Sequence, residues 1–197
     1  MHLFQIHRSS LIVSVAAALL IAALSGAAVS AAGKDAAVIA SGERLVQNMD
    51  CNTCHTPKVF TQQGPQLDAS RLLSGHPADE KPFVVPAGLI SPSGWGGLFN
   101  NSLTAWAGPW GVSFASNLTP DRRTGIGLWT EEIFVSSMRT GTHVGYGRPF
   151  LPPMPTYSRL TDAELHAIYS YLKSIKPVNN AVPHPLSPPQ LAQLQGE

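Results

Sequence analysis

The stretch Cys51-Asn52-Thr53-Cys54-His55 decides how this chain is interpreted. The spacing C-x-x-C-H is the one at which a c-type haem is attached to a protein chain. Two thiols this far apart can add to the two vinyl groups on one edge of a porphyrin. The turn between them then places the next side chain under the iron. Cys51 and Cys54 are therefore predicted to carry one haem c, with His55 as an axial ligand of the iron.

Other uses of this motif need features that the sequence does not offer. A thioredoxin-like C-x-x-C is expected inside a βαβ pattern, and no such pattern surrounds Cys51. A zinc site needs a second pair of ligands at metal-binding spacing, and the 197 residues contain only two cysteines. One haem consumes both cysteines, so we expect a single haem and no disulfide.

The composition bounds the class of protein. A length of 197 residues fits one domain, and a hydrophobic share of 44% is enough for a packed core. The 17 glycines and 17 prolines predict a chain rich in loops. The formal net charge is only +1, which disfavours binding to nucleic acid, because phosphate neutralisation needs clustered Lys and Arg.

The N-terminal residues 1–32 have the layout of a secretory signal. Arg8 precedes an uncharged stretch over 9–33, which begins with apolar residues and ends in small ones. Cleavage is expected after Ala31 or Ala32. The alternative is an uncleaved membrane anchor, since this uncharged stretch is long enough to span a bilayer. Under both interpretations the remainder of the chain is exported, to the periplasm or to the outer face of the cytoplasmic membrane.

Three helices are predicted from apolar spacing and capping residues. Apolar residues recur at helical spacing over 36–50, immediately before the haem motif. The sequence TDAE at 161–164 is a capping box that opens a C-terminal helix ending before Pro177. A third helix is expected from its N-cap Thr130 to about Arg139.

The order of these features resembles that of a class I cytochrome c. A helix precedes C-x-x-C-H, a long loop region follows, and a methionine comes before the C-terminal helix. The resemblance implies a mainly α-helical class I cytochrome c fold over residues 33–177. It also implies that the first and last helices cross, where a small residue such as Gly42 would permit close approach.

A finer resemblance rests on three stretches: NLTPD at 117–121, TGIG-x-W at 124–129 and LPPMP at 151–155. They are similar to monohaem relatives of the cytochrome subunits that serve membrane-bound alcohol and aldehyde dehydrogenases. The likeness covers roughly residues 36–60 and 113–177.

The sixth ligand of the iron is expected to be Met154. It lies among prolines, which stiffen a loop, just before the C-terminal helix, where class I cytochromes place their methionine. His143, in a glycine-rich loop, is the main alternative. Met138 lies within the third predicted helix, where it is expected to pack in the core. Met49 is too close to the haem motif to reach the opposite face of the haem.

The same resemblance implies three residues around the haem. The carbonyl of Pro65, in the string Gly-Pro-Gln-Leu, is expected to accept a hydrogen bond from His55 and orient its ring. The indole of Trp129 either donates to a haem propionate or packs in the core. Arg148 either pairs with a propionate, which suits a guanidinium, or lies on the surface.

Two regions lie outside the likeness. The insertion at about 66–112 is predicted to be a long loop, and its stretch from 86 to 111 is rich in Gly and Pro and holds Trp95, Trp106 and Trp110. It is interpreted as a cover over the haem edge, as a docking surface, or as an insertion with its own small apolar cluster. The proline-rich tail at 178–197 is expected to be extended.

Together these features predict a monohaem carrier of single electrons with His/Met ligation, not an enzyme. Its partners would be redox proteins of unstated identity, with membrane association if the N-terminal segment is retained. One alternative is a haem-c gas binder or haem enzyme with a labile sixth ligand. Another is a dedicated electron-transfer subunit of a larger dehydrogenase or oxidase complex.

Overall fold

The computed structural model describes residues 33, 35–80, 85–86, 90, 96–144 and 147–195. The predicted signal over 1–32 and Trp95 of the insertion lie outside these residues. The chain separates into a unit of Met1–Val38 and a unit of Ile39–Glu197, and the second holds the elements described below from residue 39 onward. No helix in the described ranges is both long enough and apolar enough to cross a membrane.

The described residues form helices and small antiparallel sheets, none of which closes into a barrel. The helices are α1 (35–48), α2 (Cys51–His55), α3 (Glu131–Thr140), α4 (Asp162–Ser174) and α5 (Pro188–Gln195), with a 3-10 turn at Ala69–Arg71. The first sheet pairs β1 (Lys58–Thr61) with β2 (Gly64–Leu67). The second has the order β3 (Leu98–Phe99), β4 (Ala105–Gly108), β5 (Gly111–Phe114). The third pairs β6 (Thr142–His143) with β7 (Arg148–Pro149).

The capping residues place α3 and α4 where the sequence predicts them. The Thr130 side chain accepts a hydrogen bond from the backbone N–H of Ile133, and Gly141 ends α3 in the left-handed region at φ 66°. At α4, Thr161 and Glu164 form the reciprocal hydrogen bonds of a capping box. The predictions of both helix starts are confirmed.

Helices α1 and α4 cross in direct contact at Gly42, as the resemblance implies. A Cβ at this position would lie 1.9 Å from the carbonyl oxygen of Ala167 and 2.8 Å from the Cβ of Tyr171. Glycine is therefore required by the close approach of the two helices. The main core lies around this crossing and is formed by buried residues of α1, α3, α4 and nearby loops: Val46, Leu73, Ile126, Phe134, Met138, Leu165, Ile168, Tyr171 and Leu172.

The insertion is not a structureless loop, because it contains the sheet β3-β4-β5. The sequence shows no alternation of apolar and polar residues for this sheet, because its strands are only two to four residues long and contain several Gly and Ala residues. Around it lies a second apolar cluster of Val85, Ala107, Val112 and Leu191. The insertion therefore has its own small cluster, which is the plainest of the three interpretations above.

The expectation of an extended tail is wrong for its last part. Residues 176–185 have no regular structure, Leu186 forms a bridge with Val112 of β5, and Pro188–Gln195 is helix α5. Leu191 of α5 is buried against the insertion sheet. The tail folds because Leu186 and Leu191 pack on the apolar face that the insertion sheet offers.

Candidate haem site

The haem motif forms the short helix α2, whose C-terminal end is held by hydrogen bonds from Lys58 and Leu73. The ammonium of Lys58 donates to the carbonyl oxygens of Thr53 and Thr56, the latter at 2.8 Å, and so caps the C-terminal end of the helix. Thr56 is fully buried, and its hydroxyl accepts the backbone N–H of Leu73 at 2.9 Å. Both thiols of the motif therefore lie on a firmly anchored turn.

His55 is buried and oriented by a main-chain carbonyl. Its Nδ1 lies 2.8 Å from the carbonyl oxygen of Ser116, which can only accept, so Nδ1 carries the hydrogen and donates. Burial lowers the pKa of His55, while the hydrogen bond to Ser116 acts in the opposite direction. The ring is therefore neutral near pH 7, with the lone pair of Nε2 available to a metal.

Gly75 brings the Ser116 segment close to α2. Its N–H donates to the His55 carbonyl at 2.7 Å, and its φ of 80° lies in the left-handed region. A Cβ on Gly75 would lie 2.4 Å from the carbonyl oxygen of Ala115. A glycine is therefore needed where the chain packs this closely against the segment whose Ser116 carbonyl orients His55.

The prediction that the Pro65 carbonyl orients His55 is wrong in this structure. Pro65 is exposed on β2, where it pairs with Phe60 of β1. The Gly-Pro pair belongs to this hairpin, which carries it away from the His55 ring. Ser116 takes over the acceptor role from a position 61 residues further along the chain than His55.

Cys51 and Cys54 are both half-buried and form no disulfide with each other. Burial raises the pKa of Cys51 to about 11 and also raises that of Cys54. Redox-active cysteines of C-x-x-C motifs have a lowered pKa instead, because the thiolate is their reactive form. The thiols of this motif therefore suit a structural, covalently substituted role.

Met154 lies in a loop that is fixed against α3 at both ends. The N–H of Phe150 donates to the Gly141 carbonyl at 2.6 Å, and the N–H of Tyr157 donates to the Met138 carbonyl at 2.9 Å. Tyr157 also lies near the haem motif. Burial, followed by the charges of Cys51, Cys54 and Asp50, raises its pKa to about 12. Cys51, Met154 and Tyr157 all pack against the main core, so the loop and the helix with the thiols border the same region.

The side chains around this region fit a c-type haem. Two thiols, a buried imidazole held as the Nδ1–H tautomer and a thioether are the donor set that such a haem uses. A large apolar macrocycle also needs apolar side chains that are not already fully packed. The half-buried apolar residues that pack against the main core include Cys51, Leu72, Leu118, Phe150, Met154 and Tyr157.

Trp129, His143 and Arg148 form a separate group beside the core. The ring of Trp129 meets that of His143 edge-on, with centroids 5.2 Å apart, and His143 pairs with Arg148 across β6 and β7. Trp129 is half-buried and packs against the main core, while Arg148 donates to the Pro149 carbonyl at 3.3 Å. Contacts of Trp129 and Arg148 with a propionate stay predictions.

Sequence reasoning missed the residues that hold the site in place. Ser116 acts through its main-chain carbonyl, which leaves no mark in the sequence. Asn180 of the tail donates to the carbonyls of Ser74 and His76 at 2.7 and 2.8 Å, and it accepts from the N–H of Ala78 at 2.9 Å. An asparagine in a proline-rich tail gives no signal of this role either.

The chain is similar in sequence to cytochrome c subunits of dehydrogenases. It is 30% identical over 145 residues to the cytochrome c subunit of the quinone alcohol dehydrogenase of Gluconobacter oxydans, covering 72% of the chain and 22% of that subunit. It is 29% identical over 159 residues to the cytochrome c subunit of gluconate 2-dehydrogenase of Pantoea cypripedii, covering 77% of the chain and 27% of that subunit.

A shorter match, 37% identical over 90 residues, is to a nicotinate dehydrogenase subunit of Pseudomonas putida, of which it covers 8%. The chain thus spans between 8% and 27% of the length of these relatives. No family model matches the chain. The names confirm the resemblance to dehydrogenase-associated cytochrome subunits.

Proposed function

We propose that this protein is an exported monohaem cytochrome c of the class I fold that passes single electrons between redox proteins. Cys51 and Cys54 bind the haem covalently, and His55 and Met154 are its axial ligands. The partner is a dehydrogenase complex, as the names of the relatives suggest. The haem supplies a one-electron couple between Fe(III) and Fe(II).

The observation that carries the proposal is the state of His55. A buried imidazole, with Nδ1–H committed to the Ser116 carbonyl, presents Nε2 as a ligand one residue after Cys54. A histidine that only served packing would not need a fixed tautomer next to two unpaired cysteines. The hydrogen bond also keeps the ring orientation constant in both oxidation states of a bound iron.

The rest of the site supports electron transfer over catalysis. A loop held at Gly141 and Met138 keeps Met154 in one position, which favours a permanent sixth ligand over a labile one. With both axial positions taken, the iron has no place for a substrate. Methionine ligation also raises the reduction potential relative to bis-histidine ligation.

The test is the optical spectrum of the purified holoprotein, oxidised, reduced, and then exposed to carbon monoxide. We expect a low-spin spectrum with the weak far-red methionine-to-iron band and no change with carbon monoxide. Met154→Ala should lose the band, whereas Met138→Leu and His143→Gln should keep it. A high-spin spectrum, or one that shifts readily with carbon monoxide, would refute the carrier and favour a gas binder or haem enzyme.

Intact mass spectrometry tests the attachment and the export separately. We expect a mass increase equal to one haem, which the double variant Cys51→Ser/Cys54→Ser should lose, because no thiol is then left to add to a vinyl group. Loss of residues 1–31 or 1–32 would support a cleaved signal, and an intact N-terminus in the membrane fraction would support an anchor. An unprocessed protein in the cytoplasmic fraction would contradict the proposal of export.

A further inference from the structure

Ser113 of the insertion sheet joins that sheet to the loop that carries Met154. The side chain is buried, with 6% of the residue exposed. Its hydroxyl donates to the carbonyl oxygen of Pro152 at 2.6 Å. Pro152 lies two residues before Met154, so this hydrogen bond acts on the middle of the loop. The bonds from Phe150 and Tyr157 act on its ends.

The loop has few other means of being held at this point. Pro152, Pro153 and Pro155 have no N–H and cannot donate from the backbone. Met154 donates its own N–H to the Leu151 carbonyl at 3.1 Å, a bond internal to the loop. A donor from outside the loop is therefore the means by which the surrounding protein can fix this stretch, and Ser113 provides it.

Trp110 orients the hydroxyl of Ser113. Its indole Nε1–H donates to the Ser113 oxygen at 3.2 Å. An oxygen that accepts from the indole on one side directs its single hydrogen elsewhere, and the Pro152 carbonyl is at the shortest distance. The indole ring itself lies over Gly108, where a Cβ would come within 2.2 Å of it. The tryptophan is thereby locked in the turn between β4 and β5.

The same short segment also reaches the other axial ligand. Three residues after Ser113, the carbonyl of Ser116 accepts from His55 Nδ1. Between them, the N–H of Ala115 donates to the Thr104 carbonyl at 2.8 Å, and the Ala115 carbonyl accepts from His76 at 2.9 Å. The segment 113–116 therefore continues directly from the insertion, is held by hydrogen bonds, and contacts both ligand-bearing segments.

We propose that Ser113, oriented by Trp110, is a positioning residue that holds the Met154 loop so that methionine stays bound to the iron against competing ligands. The inference rests on the proposed His/Met ligation. It assigns a role to the tryptophan-rich insertion, which frames the haem ligands instead of merely covering its own apolar cluster.

The test is a titration of the ferric holoprotein with imidazole, which displaces the methionine. The loss of the far-red band reports this displacement. Ser113→Ala should lower the apparent Kd for imidazole about tenfold, the factor that corresponds to one buried hydrogen bond of roughly 1.4 kcal/mol. Trp110→Phe removes the indole N–H together with part of the ring and should lower the Kd by about threefold. Ser113→Thr keeps the hydroxyl and should restore a value near that of the wild type.

Thr161→Ala is the matched control, because it removes the N-cap of α4 and lowers overall stability without touching the loop. Its imidazole Kd should equal that of the wild type. An unchanged Kd in Ser113→Ala, or an equal shift in Thr161→Ala, overturns the positioning role alone. A wild type that lacks the far-red band, or a Met154→Ala variant that keeps it, overturns the ligand assignment and the positioning role together.

Discussion

Replacing Gly42 by alanine should separate the two helices on which the main core is built. The added Cβ would lie 1.9 Å from the Ala167 carbonyl oxygen, 2.5 Å from its carbon and 2.8 Å from the Tyr171 Cβ. Two of these three atoms are main chain and cannot rotate away. Since non-bonded carbon atoms are at their optimal separation at about 3.5 Å, α1 and α4 must part by about 1 Å.

The size of the effect follows from two opposing contributions. Overpacking of this kind costs about 1–3 kcal/mol, and the upper end applies because the obstacle is backbone. Alanine recovers about 1 kcal/mol as the better helix former. We therefore expect Gly42→Ala to lower the free energy of unfolding by about 2 kcal/mol, which corresponds to about 4–8 °C in Tm for a chain of this size.

The assay is denaturant unfolding of the holoprotein followed by far-ultraviolet circular dichroism. Gly96→Ala is the matched control, because no described atom lies within 4 Å of a Cβ placed there. The control should stay within about 0.5 kcal/mol of the wild type. A Gly42→Ala variant as stable as the wild type, or more stable, would refute the close crossing of α1 and α4.

Two further predictions concern the network behind the haem motif. Asn180→Ala removes three hydrogen bonds to the segment 74–78 and should lower the free energy of unfolding by about 3 kcal/mol. The control Asn101→Ala, at an exposed position, should change this free energy by less than about 0.5 kcal/mol. Equal effects of the two variants in denaturant unfolding would contradict the role of Asn180. Burial lowers the pKa of His76, and the charge of Glu80 acts in the opposite direction. The stability that the neutral form of His76 contributes is therefore fully present above about pH 6.5, the ordinary pKa of histidine. It is lost as the pH falls toward the lowered pKa of His76 in the folded protein. Between about pH 7.5 and about pH 5.5, His76→Gln should therefore lose less stability than the wild type, by at most about 1.4 kcal/mol per pH unit. Parallel pH profiles for His76→Gln and the wild type would show that His76 does not govern acid sensitivity.

Local signals predicted the starts of α3 and α4 well, whereas α5 was missed. The cap at Thr130, the capping box at Thr161 and the glycine at position 141 act on neighbouring backbone groups, so their effect is readable in any context. The helix crossing at Gly42 was predictable only through the resemblance, since a glycine in a helix has no partner written beside it. The insertion sheet was missed because its strands are too short to show a period of two.

By itself, the sequence determined the attachment motif, the helices α1, α3 and α4 and the candidate methionine, because each depends on residues a few positions apart. Only the tertiary structure decided what holds them together. His55 is oriented from 61 residues away by Ser116, and the Met154 loop is held from 39 residues away by Ser113. The groups that accept these bonds are main-chain carbonyls, which every residue has. Which of them meets which donor depends on how distant segments pack.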